Sequence, residues 1–160
     1  MDMQSVTSMV AAGRDRNDDP ARFLNGRFDC KVSAADTGGA LCIFDTFRDS
    51  VGGPPLHYHE QQDEWFMVLD GTFLFQVGKQ FFKLGPGDSI FGPKLVPHAF
   101  RTLTVPARML IAYTPAARME EFFRVPMGPD SADTPEFEAL HRAHNIVNVG
   151  PPLTDAQANF

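Results

Sequence analysis

The sequence of 160 residues has few cysteines, no basic stripe and no long apolar run. Two cysteines, Cys30 and Cys42, are too few for a disulfide framework, so we expect both to be reduced and buried. No stretch approaches the ~18 apolar residues of a membrane span. The first dozen residues contain no lysine or arginine, which does not fit a secretory leader. We therefore expect a cytoplasmic protein.

Positive charge is also scarce. Lysine and arginine number 14 against 20 acidic residues, and the formal net charge is −6. Binding to nucleic acid or to an anionic membrane surface relies on clustered basic residues, and none are present. The composition therefore predicts neither nucleic acid nor membrane as a partner.

What the chain does contain is a series of short apolar runs, each closed by glycine, proline, aspartate or asparagine. They recur about every 8–12 residues, and Asp70-Gly71 is a hairpin signal between two of them. This spacing predicts an all-β sandwich or barrel. The strands are expected at residues 40–47, 64–69, 72–77, 80–84, 89–91, 98–103 and 107–113.

The pattern of short apolar runs stops at both ends of this series. Residues 1–24 are polar and mixed, which suggests an N-terminal arm, and residues 25–115 make up the predicted barrel. Residues 116–160 are expected to form a helical extension packed on the barrel, with helices at residues 116–124 and 134–144. Thr134 and Pro135 carry the start signal of the second helix, a capping hydroxyl followed by proline.

Chemistry concentrates in the stretch GGPPLHYHEQQDEWFMVLDG. Side chains two apart on a strand share a face, so His57 and His59 can converge on one ion, and Glu64 and His98 each open another predicted strand. Three imidazoles and a carboxylate suit iron, manganese, nickel, copper, cobalt or zinc, and leave one or two coordination positions open. A calcium or magnesium site would use oxygen ligands instead.

These residues match two motifs of the cupin superfamily. Its first motif, H-x-H-x4-E-x6-G, and its second, G-x5-P-x-G-x2-H-x3-N, are matched by His57, His59, Glu64, Gly71, Gly87, Pro93 and His98. Two positions depart from the second motif, since Leu95 replaces its second glycine and Thr102 its asparagine. Both departures concern loop geometry and leave the four ligand positions filled.

The resemblance extends from about residue 25 to the end of the chain, and is nearest to single-domain bacterial cupins of the quercetin 2,3-dioxygenase-like kind. It implies a double-stranded β-helix, or jelly-roll barrel, with short C-terminal helices. It also implies one divalent transition metal per chain, held by His57, His59, Glu64 and His98, and a homodimer. An outward-facing Trp65 and Met67 also favour a dimer.

The resemblance implies a metal-dependent dioxygenase-like oxidoreductase that acts with O2 on a small aromatic or enolisable substrate, such as a flavonol or catechol. Glu64 would be both a ligand and the catalytic base. Two alternatives stay open: an isomerase, cyclase or lyase that uses the same metal without O2, and a small-molecule-binding protein without catalysis.

Strand alternation predicts which residues line the substrate pocket, because residues on one face of a strand point inward together. The predicted pocket residues are Phe66, Val68, Phe100, Thr102, Met109, Ile111 and Tyr113. His141 and His144, three apart on the second predicted helix, are interpreted as a solvated face, and Gln61 and Gln62 as solvated turn residues.

Overall fold

Two antiparallel sheets pack against each other in the computed structural model, which describes residues 9–160. One sheet has the strand order β1-β2-β3-β10-β5-β8 and the other β11-β4-β9-β6-β7. The strands are β1 (Ala21–Phe23), β2 (Gly26–Val32), β3 (Cys42–Arg48), β4 (Pro55–His59), β5 (Asp63–Asp70), β6 (Phe73–Val77), β7 (Gln80–Leu84), β8 (Ser89–Gly92), β9 (His98–Thr102), β10 (Ala107–Thr114) and β11 (Ile146–Pro152). This arrangement confirms the predicted jelly roll with short C-terminal helices.

Two α-helices follow the barrel strands, α1 (Met119–Arg124) and α2 (Pro135–Ala143). The Thr134 hydroxyl accepts a hydrogen bond from the Phe137 amide at 3.3 Å, and Pro135 occupies the first turn, as the start signal predicts. Single turns of 3₁₀ helix lie at Ala34–Thr37, Pro129–Ser131 and Asp155–Ala158. Within residues 9–160, no helix is long and apolar enough to cross a membrane.

The core lies between the two sheets and is built largely from phenylalanine. Burial alternates along β5 and β10, so that one face of each strand turns inward. The aromatic cluster continues from the barrel into α1, because the ring of Phe123 stacks on that of Phe28 at a centroid distance of 4.2 Å. The helices therefore complete the barrel core. Both cysteines are free and buried.

The predicted N-terminal arm contains ordered structure beyond residues 1–8, which lie outside the described residues. Strand β1 pairs with β2, and the Asp15 carboxylate accepts a 2.7 Å hydrogen bond from the Cys30 amide. Asp15 is 4% exposed, so this segment packs against the sheet ahead of the boundary expected at residue 25. A buried carboxylate that binds backbone amides explains why a polar sequence is ordered here.

The predicted helical extension also supplies a strand that the sequence pattern does not indicate. Strand β11 pairs with β4 and contains Pro151 and Pro152, which usually argue against a strand. It lies at the end of its sheet, and its pairing with β4 is irregular between Asn148 and Pro152, where a missing backbone N–H is tolerated. Edge position therefore explains the disagreement between sequence and structure.

On the outer face, Trp65 of β5 lies opposite Phe91 of β8. Trp65 is 36% exposed and Phe91 53% exposed, whereas Met67 is half-buried. The outward direction of Trp65 agrees with the strand alternation. The homodimer that we expect from it stays a prediction.

Candidate metal centre

Three strands bring the four predicted ligands together. His57 and His59 occupy alternate inward positions of β4, Glu64 faces inward from β5, and His98 opens β9 directly opposite His57. All four are buried, and one potential ligand atom from each lies within 4.8 Å of the others. Antiparallel pairing of β4 with β9 thus brings together His57 and His98, which are 41 residues apart in the sequence.

The start of β4 is held by a close contact between two backbones. A Cβ atom added to Gly53 would lie 1.8 Å from the Phe100 carbonyl oxygen, so that only glycine fits there. The Thr102 hydroxyl accepts a 2.9 Å hydrogen bond from the Gly52 amide, and the Thr102 amide donates to the Gly52 carbonyl at 3.0 Å. Threonine at the motif's asparagine position therefore anchors the loop that leads into His57.

In the loop before His98, Leu95 has a backbone conformation that favours glycine, the residue that the motif has at this position. Leu95 has a φ of +68°, in the left-handed region, and its amide donates a 2.8 Å hydrogen bond to the His59 carbonyl. A leucine in this region is strained, because its Cβ crowds the backbone. Leu95 is 60% exposed, so side-chain packing does not explain the conformation.

Two ligand histidines are oriented by backbone carbonyls. His57 Nδ1 lies 2.7 Å from the Pro55 oxygen, and His98 Nδ1 lies 3.2 Å from the Val96 oxygen. A carbonyl can only accept, so each Nδ1 carries the proton and donates it. In the neutral ring the lone pair is then on Nε2, the atom that faces the cluster, as a metal ligand requires.

His59 is oriented by Gln62, which the sequence interpretation wrongly assigned to a solvated turn. Gln62 is 3% exposed, and its Nε2 donates to the carbonyls of Pro115 at 2.9 Å and Ala116 at 3.1 Å. Its Oε1 must therefore face His59 Nδ1, at 2.9 Å, and accept that proton. Both carbonyls lie more than 50 residues further along, so no local pattern could reveal the role of Gln62.

Glu64 is the charged centre of the cluster. Its Oε2 lies 2.7 Å from His98 Nε2 and 3.2 Å from His59 Nε2. Burial alone would raise the pKa of Glu64, but the hydrogen bonds and positive charge of His59 and His98 outweigh it and hold the pKa below its usual range. Glu64 is therefore ionised at neutral pH.

Two of the imidazoles, His57 and His98, have pKa values shifted in opposite directions. Burial, and then the proximity of His98 and His59, holds the pKa of His57 well below its ordinary value. Burial also works against a charged His98, but contact with Glu64 outweighs it and raises the pKa of His98. His57 is thus neutral, and a metal ion would displace a proton from the pair formed by Glu64 and His98.

Tyr113 of β10 pairs with Glu64 across the sheet and is 3% exposed. Burial raises the pKa of its phenol well above the ordinary value, and the charge and hydrogen bonding of Glu64 raise it further. Tyr113 therefore keeps its proton and is a hydrogen-bond donor beside the cluster.

The cluster forms one side of an internal cavity of about 50 Å³. Of the predicted pocket residues, Phe100, Ile111 and Tyr113 line this cavity. The other four are buried elsewhere in the core and do not line it, namely Phe66, Val68, Thr102 and Met109. The inward direction of a side chain on a strand thus predicts that it is buried. It does not predict whether that side chain lines the cavity or packs in the solid part of the core.

Residues that the sequence interpretation missed form much of the cavity wall. Met119, Phe122 and Phe123 of α1 contribute to it, as does His141 of α2. His141 is 3% exposed, so the prediction of a solvated face was wrong for it. Phe137 lies four residues before His141, so the two side chains share one face of α2. This spacing, with an apolar residue at Phe137, could have indicated that His141 is buried.

His141 is buried without a charge. Burial lowers its pKa to about 4, and its Nδ1 donates to the Phe137 carbonyl at 2.7 Å. Within residues 9–160, the metal-binding cluster does not include it. A carbonyl one helical turn away satisfies this imidazole without any ligand.

The donor set fits a divalent transition metal. Three imidazole nitrogens and one carboxylate are the ligands that such ions prefer, and each imidazole is oriented by the contact of its Nδ1. His57, His59, Glu64 and His98 could therefore hold one metal ion. The cavity at their side leaves room for a further ligand.

A jelly roll with an internal cluster of three histidines and a glutamate defines a class of small metal-binding β-barrels. Residues 49–113 match the family model described as Cupin domain. The matched range contains all four residues of the cluster, and the two-sheet fold around it is that of a cupin jelly roll. A comparison with curated proteins gave no match.

Solved structures share the fold. The RmlC-like cupin from Shewanella frigidimarina has a TM-score of 0.56 at 18% identity, over 64% of this chain and 87% of that one. KdgF from Halomonas sp. has a TM-score of 0.54 at 18% identity, over 61% and 87%. Ectoine synthase from P. lautus has a TM-score of 0.55 at 16% identity, over 86% and 85%. At these identities the likeness concerns the fold alone.

Proposed function

We propose that the protein is a metal-dependent oxidoreductase of the dioxygenase type, acting on a small enolisable or aromatic hydroxyl compound. The observation that supports this is the buried set of three imidazole Nε2 atoms and one carboxylate beside an apolar cavity. A divalent transition metal held there would supply Lewis-acid polarisation and electron transfer, with positions open to substrate and O2. Both oxygen atoms would enter the product, so no external reductant is needed.

The side chains of the site divide the handling of the substrate proton. Glu64 is ionised, and its carboxylate would accept the proton of a substrate hydroxyl. Tyr113 keeps its own proton, and its hydroxyl would donate a hydrogen bond to the oxygen that becomes negative. The aromatic walls from Phe100, Phe122 and Phe123 would exclude water from the reacting atoms.

The cavity volume favours the smaller substrates in the expected range. About 50 Å³ is far below the ~300–1,000 Å³ of pockets that enclose drug-sized ligands. A single ring or a short diketone suits this space better than a flavonol, which would require α1 to move outward.

Non-oxidative chemistry is the second candidate, and the adjacent acceptor Glu64 and donor Tyr113 favour it specifically. A proton acceptor and a proton donor side by side suffice for an isomerisation, cyclisation or elimination on a polarised carbonyl, without O2.

The test begins with metal content. Purified protein is reloaded separately with iron, manganese, nickel, copper, cobalt and zinc, and bound metal per chain is measured by plasma mass spectrometry. We expect about one equivalent in the wild type, loss in His98→Ala, and retention in His144→Gln, a matched histidine outside the cluster. Failure of every metal to bind the wild type would overturn the proposal.

Activity is then measured with catechol and with acetylacetone. O2 uptake that requires the metal and disappears in His98→Ala would support the dioxygenase proposal. Turnover that continues at the same rate under argon would replace it with the non-oxidative candidate. Ligand-dependent thermal stabilisation without turnover in either gas would leave a binding protein.

A further inference from the structure

A buried arginine lies on the same cavity as the metal-ligand cluster. Arg48 is the last residue of β3, is 3% exposed and turns its side chain into the barrel between β2 and β10. Its guanidinium carbon lies 4.9 Å from the centre of the Phe100 ring and 5.6 Å from that of Phe28. The cation is thus enclosed by aromatic faces rather than by water.

The guanidinium has unused hydrogen-bonding capacity. Its Nη1 donates to the Thr46 hydroxyl at 2.6 Å, and that hydroxyl donates onward to the Met109 carbonyl at 2.7 Å. The buried Nε has no partner, and Nη2 makes no hydrogen bond within residues 9–160. The free Nε and Nη2 atoms form one edge of the guanidinium, which is the edge that binds two oxygens side by side.

No carboxylate among residues 9–160 forms an ion pair with Arg48. The neighbouring arginines of this sheet behave differently, since Arg27 pairs with Asp29 at 3.0 Å and Arg108 pairs with Asp45 at 2.7 Å. Burial lowers the pKa of Arg48 to about 10, which still leaves it protonated at neutral pH. A buried charge without a counter-ion is costly to folding, and such a group is retained most readily where a ligand completes it.

Arg48 lines the same cavity as three residues of the metal centre and its surroundings. Arg48, His57, Glu64 and Tyr113 all line it, and most of the wall between them is apolar. A ligand that enters the cavity therefore meets a fixed positive charge at one place and the imidazole–carboxylate cluster at another. We propose that Arg48 binds the carboxylate of the substrate, so that the protein acts on a small organic acid whose enolisable or hydroxylated carbon faces the cluster.

A carboxylate fits this position for two reasons. It is planar and presents two oxygens, which match the paired Nε and Nη2 donors of Arg48. It is also small, and the cavity of about 50 Å³ has no room for a bulkier anion together with a reacting group. The reaction at the imidazole–carboxylate cluster rests on the proposed function. Binding of the carboxylate by Arg48 does not.

The experiment compares two probes of nearly the same shape, pyruvate and its neutral counterpart 2,3-butanedione. Binding is measured by calorimetry on zinc-loaded protein, which prevents redox turnover, and on metal-free protein. We expect the wild type to prefer pyruvate by tenfold or more in both forms. We expect Arg48→Met to lose this preference and Arg48→Lys to keep part of it, because lysine retains the charge without the fork.

Arg22→Met is the matched control, because it removes an exposed guanidinium from β1 that does not line this cavity. Equal binding of the two probes by the wild type, or an unchanged preference in Arg48→Met, would overturn the assignment. Arg48→Met is expected to fold, since it replaces an unpaired buried charge with an apolar chain of similar length. If it does not fold, the wild-type preference and the Arg48→Lys result still decide.

The design separates this inference from the proposed function. A preference for pyruvate that persists in the metal-free wild type, in a protein that binds no metal under any condition, would support Arg48 and overturn the proposed function. Zinc binding without any preference for pyruvate would overturn the role of Arg48 and leave the metal centre intact.

Discussion

The two polar regions of the cavity bury basic side chains in opposite ways. In the cluster of His57, His59 and His98, every Nδ1 has an acceptor from the chain itself, and Glu64 supplies the counter-charge. At Arg48 the charge is retained, but one donor edge has no acceptor. The protein therefore supplies the hydrogen-bond partners and the counter-charge of the histidine cluster itself. The free donors of Arg48 are left for a ligand that enters the cavity.

His141 offers the strongest way to sharpen this comparison, because it lies on the same cavity but is neutral. Its pKa is lowered to about 4, so below pH ~6.5 the unfolded chain binds a proton that the folded protein does not. Its contribution to stability is therefore complete above pH ~6.5 and is lost as the pH falls toward 4. The loss expected from His141 alone is roughly 2.5 kcal/mol at pH 4.5.

Urea unfolding at pH 7.0 and pH 4.5 measures this effect in the wild type and in His141→Gln, which does not titrate. The variant should lose less stability on acidification than the wild type, by about that amount. Equal losses would mean that His141 is already accessible to protons in the folded state.

Gln62→Leu removes the hydrogen bond that the chain itself supplies to His59. It would leave His59 Nδ1 and the carbonyls of Pro115 and Ala116 without their partner. We expect metal affinity to fall by about 10- to 100-fold, because an unheld imidazole loses both orientation and tautomer. Competition with a chromophoric chelator measures the affinity, and the exposed neighbour variant Gln61→Leu is the control. An affinity unchanged by Gln62→Leu would show that β4 alone orients His59.

The smallest expected effect concerns the backbone beside the cluster. Leu95→Gly should raise the free energy of unfolding by about 0.5–1 kcal/mol, because it relieves the positive φ at some cost in unfolded-state entropy. Leu95→Ala removes the same exposed side chain but keeps the Cβ, and should give no such gain. Equal effects of the two substitutions in urea unfolding would refute the strain at this position.

Sequence patterns predicted the elements that recur locally. The strand 80–84 and the capped helix after Thr134 depend on neighbouring residues, and the structure confirms both. The hairpin predicted at Asp70-Gly71 was wrong, because β5 and β6, the strands on either side of it, lie in different sheets. The H-x-H spacing and the two distant strand starts also predicted which four side chains meet. Once the strands pair, these side chains lie on neighbouring inward positions, and no further contact is needed to bring them together.

The missed residues depend on contacts that no short window contains. Arg48 shares its strand face with Phe44 and Thr46, so alternation places it inward, but only the cavity beyond the strand explains why an arginine is tolerated there. The walls contributed by α1 and α2 depend equally on where the C-terminal segment packs, which periodicity alone does not determine.

Strand β11 has a consequence for how the molecule behaves among its own copies. The outer edge of a sheet normally presents backbone donors and acceptors to which another chain can add a strand. Neighbouring residues of a strand direct their backbone N–H groups to opposite sides, so Pro151 and Pro152 together remove one donor from the outer edge of β11. The residues that make β11 hard to recognise in the sequence thus also weaken this edge as a template for a strand of another chain.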